Sequence, residues 1–145
     1  RFESVGAEVR NAGVAVLTLP ADVDAGERMA ESGGGSIINI SSTASLHPSP
    51  NAAAYGAAKA GLNSLTQSFA HALGPSVRVN CIVAGPFLTD ISKAWDLEAF
   101  EASQEGFRAI PRGGDPKEIV GAALYFASPT SSFTTGTLVT VDGGG

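Results

Sequence analysis

The sequence has one cysteine, one tryptophan and one methionine among its 145 residues. A lone thiol excludes a disulfide framework, and Cys81, set inside the apolar run 77–83, reads as a buried, reduced side chain. That usage suits a reducing compartment, and the cytoplasm is the expected location. Long apolar runs are lacking too: none approaches the ~20 residues a membrane-spanning helix needs, and no basic-then-apolar leader opens the chain. No membrane partner is expected. Basic residues are few, 9 Lys and Arg against 14 Asp and Glu for a net charge of -5. They do not make the basic stripe that a phosphate backbone demands, so nucleic acid is not an expected partner either. The two histidines, His47 and His71, stand in no cluster at metal-ligand spacing. No metal is expected. The chain opens on Arg1 rather than methionine, and its first residues read as the middle of a longer unit.

What is present fits one compact domain over 1–145: 43% hydrophobic residues with only 16% charged is ordinary for a buried α/β core. Phe2, Val5 and Val9 recur at helical spacing before Gly13, which predicts a helix over 2–12. The apolar, β-branched run 14–19 predicts a buried strand ending at Pro20, with Asp22 in the loop beyond. Residues 26–35 read as a weak helical turn closing on three glycines. Ser36 to Ser42 form a second buried strand that turns polar at its carboxyl end, the edge where open α/β sheets place ligands. After a loop over His47 to Pro50, the longest helical pattern runs from 52 to 73, with Tyr55, Leu62, Leu65, Phe69 and Leu73 along one side. Its many alanines and two glycines, Gly56 and Gly61, suit close approach of another backbone. Val77 to Val83 predict a third strand, broken by Gly85-Pro86. Residues 88–112 scatter Trp95, Phe100 and Phe107 among charges, as in a helical flap. Asp115-Pro116-Lys117-Glu118 is a helix start with N-cap, first-position proline and capping box, leading to a helix that ends near Ala127. A last strand covers 137–141. Alternating strands and helices predict a doubly wound parallel sheet with helices on its faces.

Tyr55 and Lys59 are four apart on the long helix, so their side chains share one face. A phenol titrates near ~10 and is a poor proton carrier at neutral pH, whereas an ammonium held beside it favours the phenolate. Ser42, at a strand end, could hydrogen-bond an oxygen whose charge changes in a transition state. Together the three suit carbonyl and alcohol chemistry.

In order and spacing, the stretches 34–42, Tyr55-Gly56-Ala57-Ala58-Lys59-Ala60-Gly61-Leu62, Val79 to Thr89 and Thr137 to Gly144 resemble the short-chain dehydrogenase/reductase family from about residue 33 onward. The resemblance implies a Rossmann-like fold and an oxidoreductase that uses NAD or NADP to act on a small-molecule alcohol or ketone. By matching position it makes Tyr55 the proton donor or acceptor. Lys59 becomes its modulator and a ligand of the nicotinamide ribose, and Ser42 the substrate-oxygen stabiliser, with Ser41 as fallback. Thr89 would contact the nicotinamide carboxamide, with Gly85 and Phe87 lining that end. Asp22 and Val23 resemble the family's Asp-Val pair at the adenine, and residues 88–112 would form the substrate flap. A homodimer or homotetramer is implied as well. Ala84 departs from the pattern, standing where the family has proline, while Pro86 follows the glycine.

The family also opens with a strand, a glycine-rich turn and a helix that holds the pyrophosphate. No such unit occurs here, and Gly33-Gly34-Gly35 lies after a helix and before a strand, the reverse of the required order. It reads as a plain turn. Only thirteen residues separate Asp22 from Ser36, where the family has a further strand and a long helix bearing a catalytic asparagine. None of Asn11, Asn39, Asn51 or Asn63 stands in that context, so no fourth catalytic residue is assigned. The fold is therefore expected to be incomplete, lacking the first β-α-β unit and a central strand-helix block. The alternative function is a truncated, non-catalytic remnant that serves as an oligomerisation module.

Overall fold

The structure, a computed structural model, describes residues 23–145. The helix expected over 2–12, the strand at 14–19 and Asp22 lie outside the described residues, and Val23 enters only as the first residue of the first helix. In chain order the described elements are helix α1 (Val23–Glu31), strand β1 (Gly35–Ser42), helix α2 (Ala53–Leu73), strand β2 (Val77–Ala84), helix α3 (Leu97–Gln104), helix α4 (Val120–Ala127) and strand β3 (Leu138–Val141). Short 3-10 turns precede α2 and α3 and flank α4. The three strands form one parallel sheet in the order β1-β2-β3, as expected of an α/β chain whose strands are linked through helices.

The glycine triplet is the turn that its place between helix and strand implies. Gly33 N–H donates to the Ala30 carbonyl and Gly34 N–H to the Met29 carbonyl at 2.9 Å, the paired bonds that close a helix carboxyl end. Both glycines have positive φ, 101° and 96°, which a side chain at either position would resist. At its other end the chain bears out the helix start at Asp115. The Asp115 carboxylate accepts from Lys117 N–H at 2.9 Å, while Glu118 reaches back to accept from Asp115 N–H at 2.7 Å. A 3-10 turn over Pro116–Ile119 leads from this box into α4.

Strand alternation divides the core between the two faces of the sheet. On one face Val77 and Val79 pack with Ala70 and Leu73 of α2 and with Met29, Ala30, Ile37 and Phe69. On the other, Ile82 packs with Ala123 and Phe126 of α4, flanked by Ile38, Ile40, Val139 and Val141. The buried polar Asn80 ties the approach to β3 into place. Its amide donates to the Thr134 carbonyl at 2.9 Å and its oxygen accepts from Thr137 N–H at 3.1 Å.

The inward side of α2 differs from the apolar stripe that periodicity selects. Gly56, Asn63, Thr66, Ala70 and Leu73 are its buried residues, whereas Tyr55 and Leu65 are exposed and Leu62 and Phe69 half-buried. The strand surface opposite explains this. Asn39 donates to Thr66 Oγ1 at 2.9 Å, and Asn63 lies against Cys81 and Ser45, so polar residues of the helix meet polar residues of the sheet.

Candidate active site

Parallel register aligns the strand ends. Ser42 pairs with Ala84, and Ala84 with Val141, so the end of β1, the start of the loop after β2 and the end of β3 form one row at the carboxyl edge of the sheet. Beyond Ser42 the chain turns tightly over Thr43–Ser45. The Ser42 hydroxyl oxygen accepts from Ala44 N–H at 3.2 Å. This turn lies directly on α2, and a Cβ on Gly56 would come within 2.7 Å of the Ala44 carbonyl oxygen. Glycine at 56 thus lets the turn that carries Ser42 settle against the first turn of the helix that carries Tyr55 and Lys59.

Tyr55 and Lys59 are brought together as their spacing predicts, with the Lys59 ammonium 5.7 Å from the centroid of the Tyr55 ring. Tyr55 is exposed and Lys59 half-buried. Lys59 is tied to β1 at both ends: its Nζ donates to the Ile40 carbonyl at 2.8 Å, and its own carbonyl accepts from the Ser41 hydroxyl at 3.1 Å. An ammonium has three N–H donors, so the bond to Ile40 fixes the head and leaves two for a ligand. The two adjacent serines part here. Ser41 is buried and spends its proton on Lys59, whereas the half-buried Ser42 uses a lone pair on Ala44 N–H and keeps its O–H for donation. Among the described residues no hydrogen bond joins Ser42 to Tyr55.

Ser45, not singled out from the sequence, holds this turn together with Asn63. Ser45 donates to the Ser42 carbonyl at 2.6 Å and accepts from the Asn63 amide at 2.9 Å. A serine three residues after Ser42 is the local signal that could have flagged Ser45, since hydroxyls commonly bond back to a nearby main-chain group. Cys81 lies beneath the same face. Burial pushes its thiol pKa up, against smaller opposing contributions from Ser41, Thr66 and Lys59.

Gly85, Phe87 and Thr89 follow one another along the segment that leaves β2. Gly85 N–H donates to the Val141 carbonyl at 2.9 Å. A Cβ at position 85 would stand 2.6 Å from Asp142, so contact with the last strand is enough to require glycine there. Phe87 bridges to Gly114, with Leu88 N–H donating to the Gly114 carbonyl at 2.8 Å. Thr89 starts the 3-10 turn Asp90–Ala94 through its carbonyl, which accepts from the Ser92 hydroxyl at 2.7 Å; its own side chain makes no cap bond. In the 88–112 segment Trp95 stacks at 5.2 Å on Phe100, while Trp95 and Phe107 remain exposed. Among the described residues no group of His, Cys, Asp and Glu could hold a metal ion, and no helix is long and apolar enough to cross a membrane.

A family model described as enoyl-(acyl carrier protein) reductase matches residues 13–145. An uncharacterized oxidoreductase of Mycobacterium tuberculosis is 46% identical over 114 residues, a match covering 78% of this chain and 43% of that protein. The 3-oxoacyl-[acyl-carrier-protein] reductase of Chlamydia trachomatis is 41% identical over 113 residues, covering 76% of this chain and 44% of the reductase. Among solved structures, a 7α-hydroxysteroid dehydrogenase complexed with NADH and 7-oxo glycochenodeoxycholic acid superposes with a TM-score of 0.76 at 36% identity, over 83% of this chain and 48% of that one. The chain spans less than half the length of each of these proteins.

Proposed function

This chain belongs to the short-chain dehydrogenase/reductase family, and from that premise we propose that it supplies the proton-transfer half of an oxidoreductase that interconverts a hydroxyl and a carbonyl group with NAD or NADP. The observation that carries the reading is the Lys59 ammonium 5.7 Å from the Tyr55 ring, on the helix packed against the turn of Ser42.

The residues present fit one end of such a cofactor. Lys59, with two donors to spare, suits ribose hydroxyls, and Thr89, whose side chain is not spent on a cap, suits a carboxamide. Gly85 and Phe87 line the same loop. The phosphate end has no counterpart among the described residues, because the glycine triplet closes a helix rather than opening one. When bound, the nicotinamide supplies or accepts the hydride at the substrate carbon. Tyr55 then gives its phenolic proton to the substrate oxygen, or takes it back in the reverse direction. The Lys59 ammonium attracts the negative charge that develops on the phenol oxygen. Ser42 donates its free O–H to the substrate oxygen and holds it within reach of Tyr55. Ser41, buried and committed to Lys59, positions the lysine instead.

A small alcohol or ketone is the proposed substrate, with 88–112 as its flap, and a homodimer or homotetramer is the proposed assembly. A cytoplasmic location belongs to the same reading, with the sole thiol, Cys81, buried and unpaired. The non-catalytic alternative draws on the same surface as that assembly: Ala57, Ala58, Ala60 and Gly61 are exposed, and a Cβ on Gly61 would meet nothing among the described residues, so this side of α2 could receive a second copy under either reading.

Fluorescence titration with NADH and NADPH, followed by turnover of Tyr55→Phe, separates the two readings. Binding with a Kd in the micromolar range supports the oxidoreductase, and no binding at millimolar cofactor leaves the oligomerisation module. In a protein that turns over, Tyr55→Phe should lower kcat by roughly 10²- to 10⁴-fold, the usual worth of a positioned acid or base, with cofactor affinity kept. A near-normal rate would remove Tyr55 from the role.

A further inference from the structure

We propose that Arg108 and Asp142 form a buried latch that anchors the end of the 88–112 segment to the carboxyl edge of the sheet, which makes Arg108 a positioning residue for the substrate wall facing the Ser42 turn. Both side chains are only 7% exposed. The Arg108 guanidinium donates to the Asp142 carbonyl, lies 3.7 Å from Asp142 Oδ2, and is braced from behind by Gln104, whose oxygen accepts from Nε at 2.7 Å. Asp142 Oδ1 accepts from Gly144 N–H at 2.9 Å, but Oδ2 is buried without a hydrogen-bond partner. The guanidinium charge is the compensation that this oxygen has. An unpaired buried carboxylate is costly, so removing either partner should release the contact rather than leave it strained in place.

The main chain repeats the attachment. Ile110 N–H donates to the Gly143 carbonyl at 2.8 Å and Ala109 N–H to the Gly144 carbonyl at 3.3 Å. Either side of the pair touches a wall of the proposed site. Asp142 abuts Gly85, the glycine proposed to line the nicotinamide, at 2.6 Å from where its Cβ would stand. Arg108 sits 5.4 Å over the Phe107 ring, and that ring meets His47, five residues beyond Ser42, edge-on at 6.5 Å. Contacts thus run without a break from the cofactor loop through Asp142, Arg108 and Phe107 to the turn that carries the catalytic serine. The pair is 34 residues apart in sequence, so it joins two elements that no local structure holds together.

The anchoring stands on geometry alone, whereas its consequence for substrate rests on the oxidoreductase reading; amide hydrogen exchange reads the first without the second. In Asp142→Asn and Arg108→Met, the amides of Ala109 and Ile110 should exchange at least about tenfold faster than in wild type, with Val79 to Val83 of β2 unchanged, as for a local opening. Arg108→Lys keeps the charge and should restore part of the protection, which also guards against a variant that fails to fold. Parallel acceleration in β2 would make the pair a general stabiliser and overturn the latch, as would unchanged exchange at 109–110. In a protein that turns over, Arg108→Met should raise KM by roughly tenfold with kcat within about twofold, and Arg108→Lys should recover part of that loss, the pattern of lost positioning rather than lost chemistry. Absence of cofactor binding in the wild type would end the oxidoreductase reading and leave the exchange result standing.

Discussion

Every residue of β2 from Val79 to Val83 is buried, whereas β1, equally long, buries only Ser41. β2 lies between two strands and under helices on both faces; β1 has one neighbouring strand among the described residues. Position in the sheet adds to a difference in composition, six apolar side chains in β2 against three in β1. The proposed chemistry sits on the less buried strand, where the Ile40 carbonyl accepts from the Lys59 ammonium at 2.8 Å. β2 offers main-chain groups to side chains as well, Val79 N–H donating to Thr135 Oγ1 at 3.0 Å, but there at a fully buried position. The more buried strand carries the core, and the proposed site lies along its neighbour.

Ile40 and Ile82 are register partners packed against the same α4 cluster, so they test the contrast with chemistry held constant. Ile82→Ala, at a fully buried position, should cost about 2–5 kcal/mol, and Ile40→Ala about half as much because part of its side chain already meets water. Urea unfolding measures both. Equal losses would mean that β1 is covered as completely as β2, and the division drawn above would fail.

Two asparagines, one on each strand, sharpen the contrast at a smaller scale. Asn80→Ala would leave the Thr134 carbonyl and the Thr137 amide without their partner in a fully buried setting, a loss of about 1–3 kcal/mol. Asn39→Ala should cost about 1 kcal/mol, since Thr66 keeps its bond to the Leu62 carbonyl and the site is half-buried. If thermal unfolding reversed that order, burial would not be the quantity that distinguishes the strands.

How legible these features are in the sequence follows the range of the contacts behind them. The strand at 36–42, the turn at Gly33-Gly34, the box at Asp115 and the meeting of Tyr55 with Lys59 each show a pattern within seven consecutive residues, and each is readable from residue type and spacing. The inward side of α2 is not. Periodicity picks Leu62, Leu65 and Phe69, but the choice of Asn63 and Thr66 is made by Asn39 and Cys81 on strands that the helix meets only after folding. Arg108 shows the same limit, reading as one charge in a mixed flap until Asp142, at the far end of the last strand, closes on it. Ser45 falls between, a local bond that ordinary turn chemistry could have revealed.

The smallest effect leaves both strands untouched and loosens the helix that covers them. Glu118 accepts from Arg112 Nη2 at 2.7 Å and from Asp115 N–H at 2.7 Å at the start of α4. The Arg112 side-chain bond foremost, then the Asp115 amide, lower its pKa from 4.5 to about 2. A carboxyl whose folded pKa lies below its unfolded one binds fewer protons in the native state, so its contribution is present above the unfolded value and fades as pH falls toward the folded one. Glu118→Gln keeps an acceptor for the capping box but removes the charge. The gap in melting temperature between wild type and this variant should therefore be full at neutral pH, shrink below about 4.5 and vanish near 2. Because the pair is exposed, salt should narrow the gap at neutral pH as well. The gap should be the same in the Ile40→Ala and Ile82→Ala backgrounds, since α4 packs over both residues at once. A larger gap in one background would tie the cap to a single strand, and the cover over β1 and β2 would then have to be treated as two separate contacts.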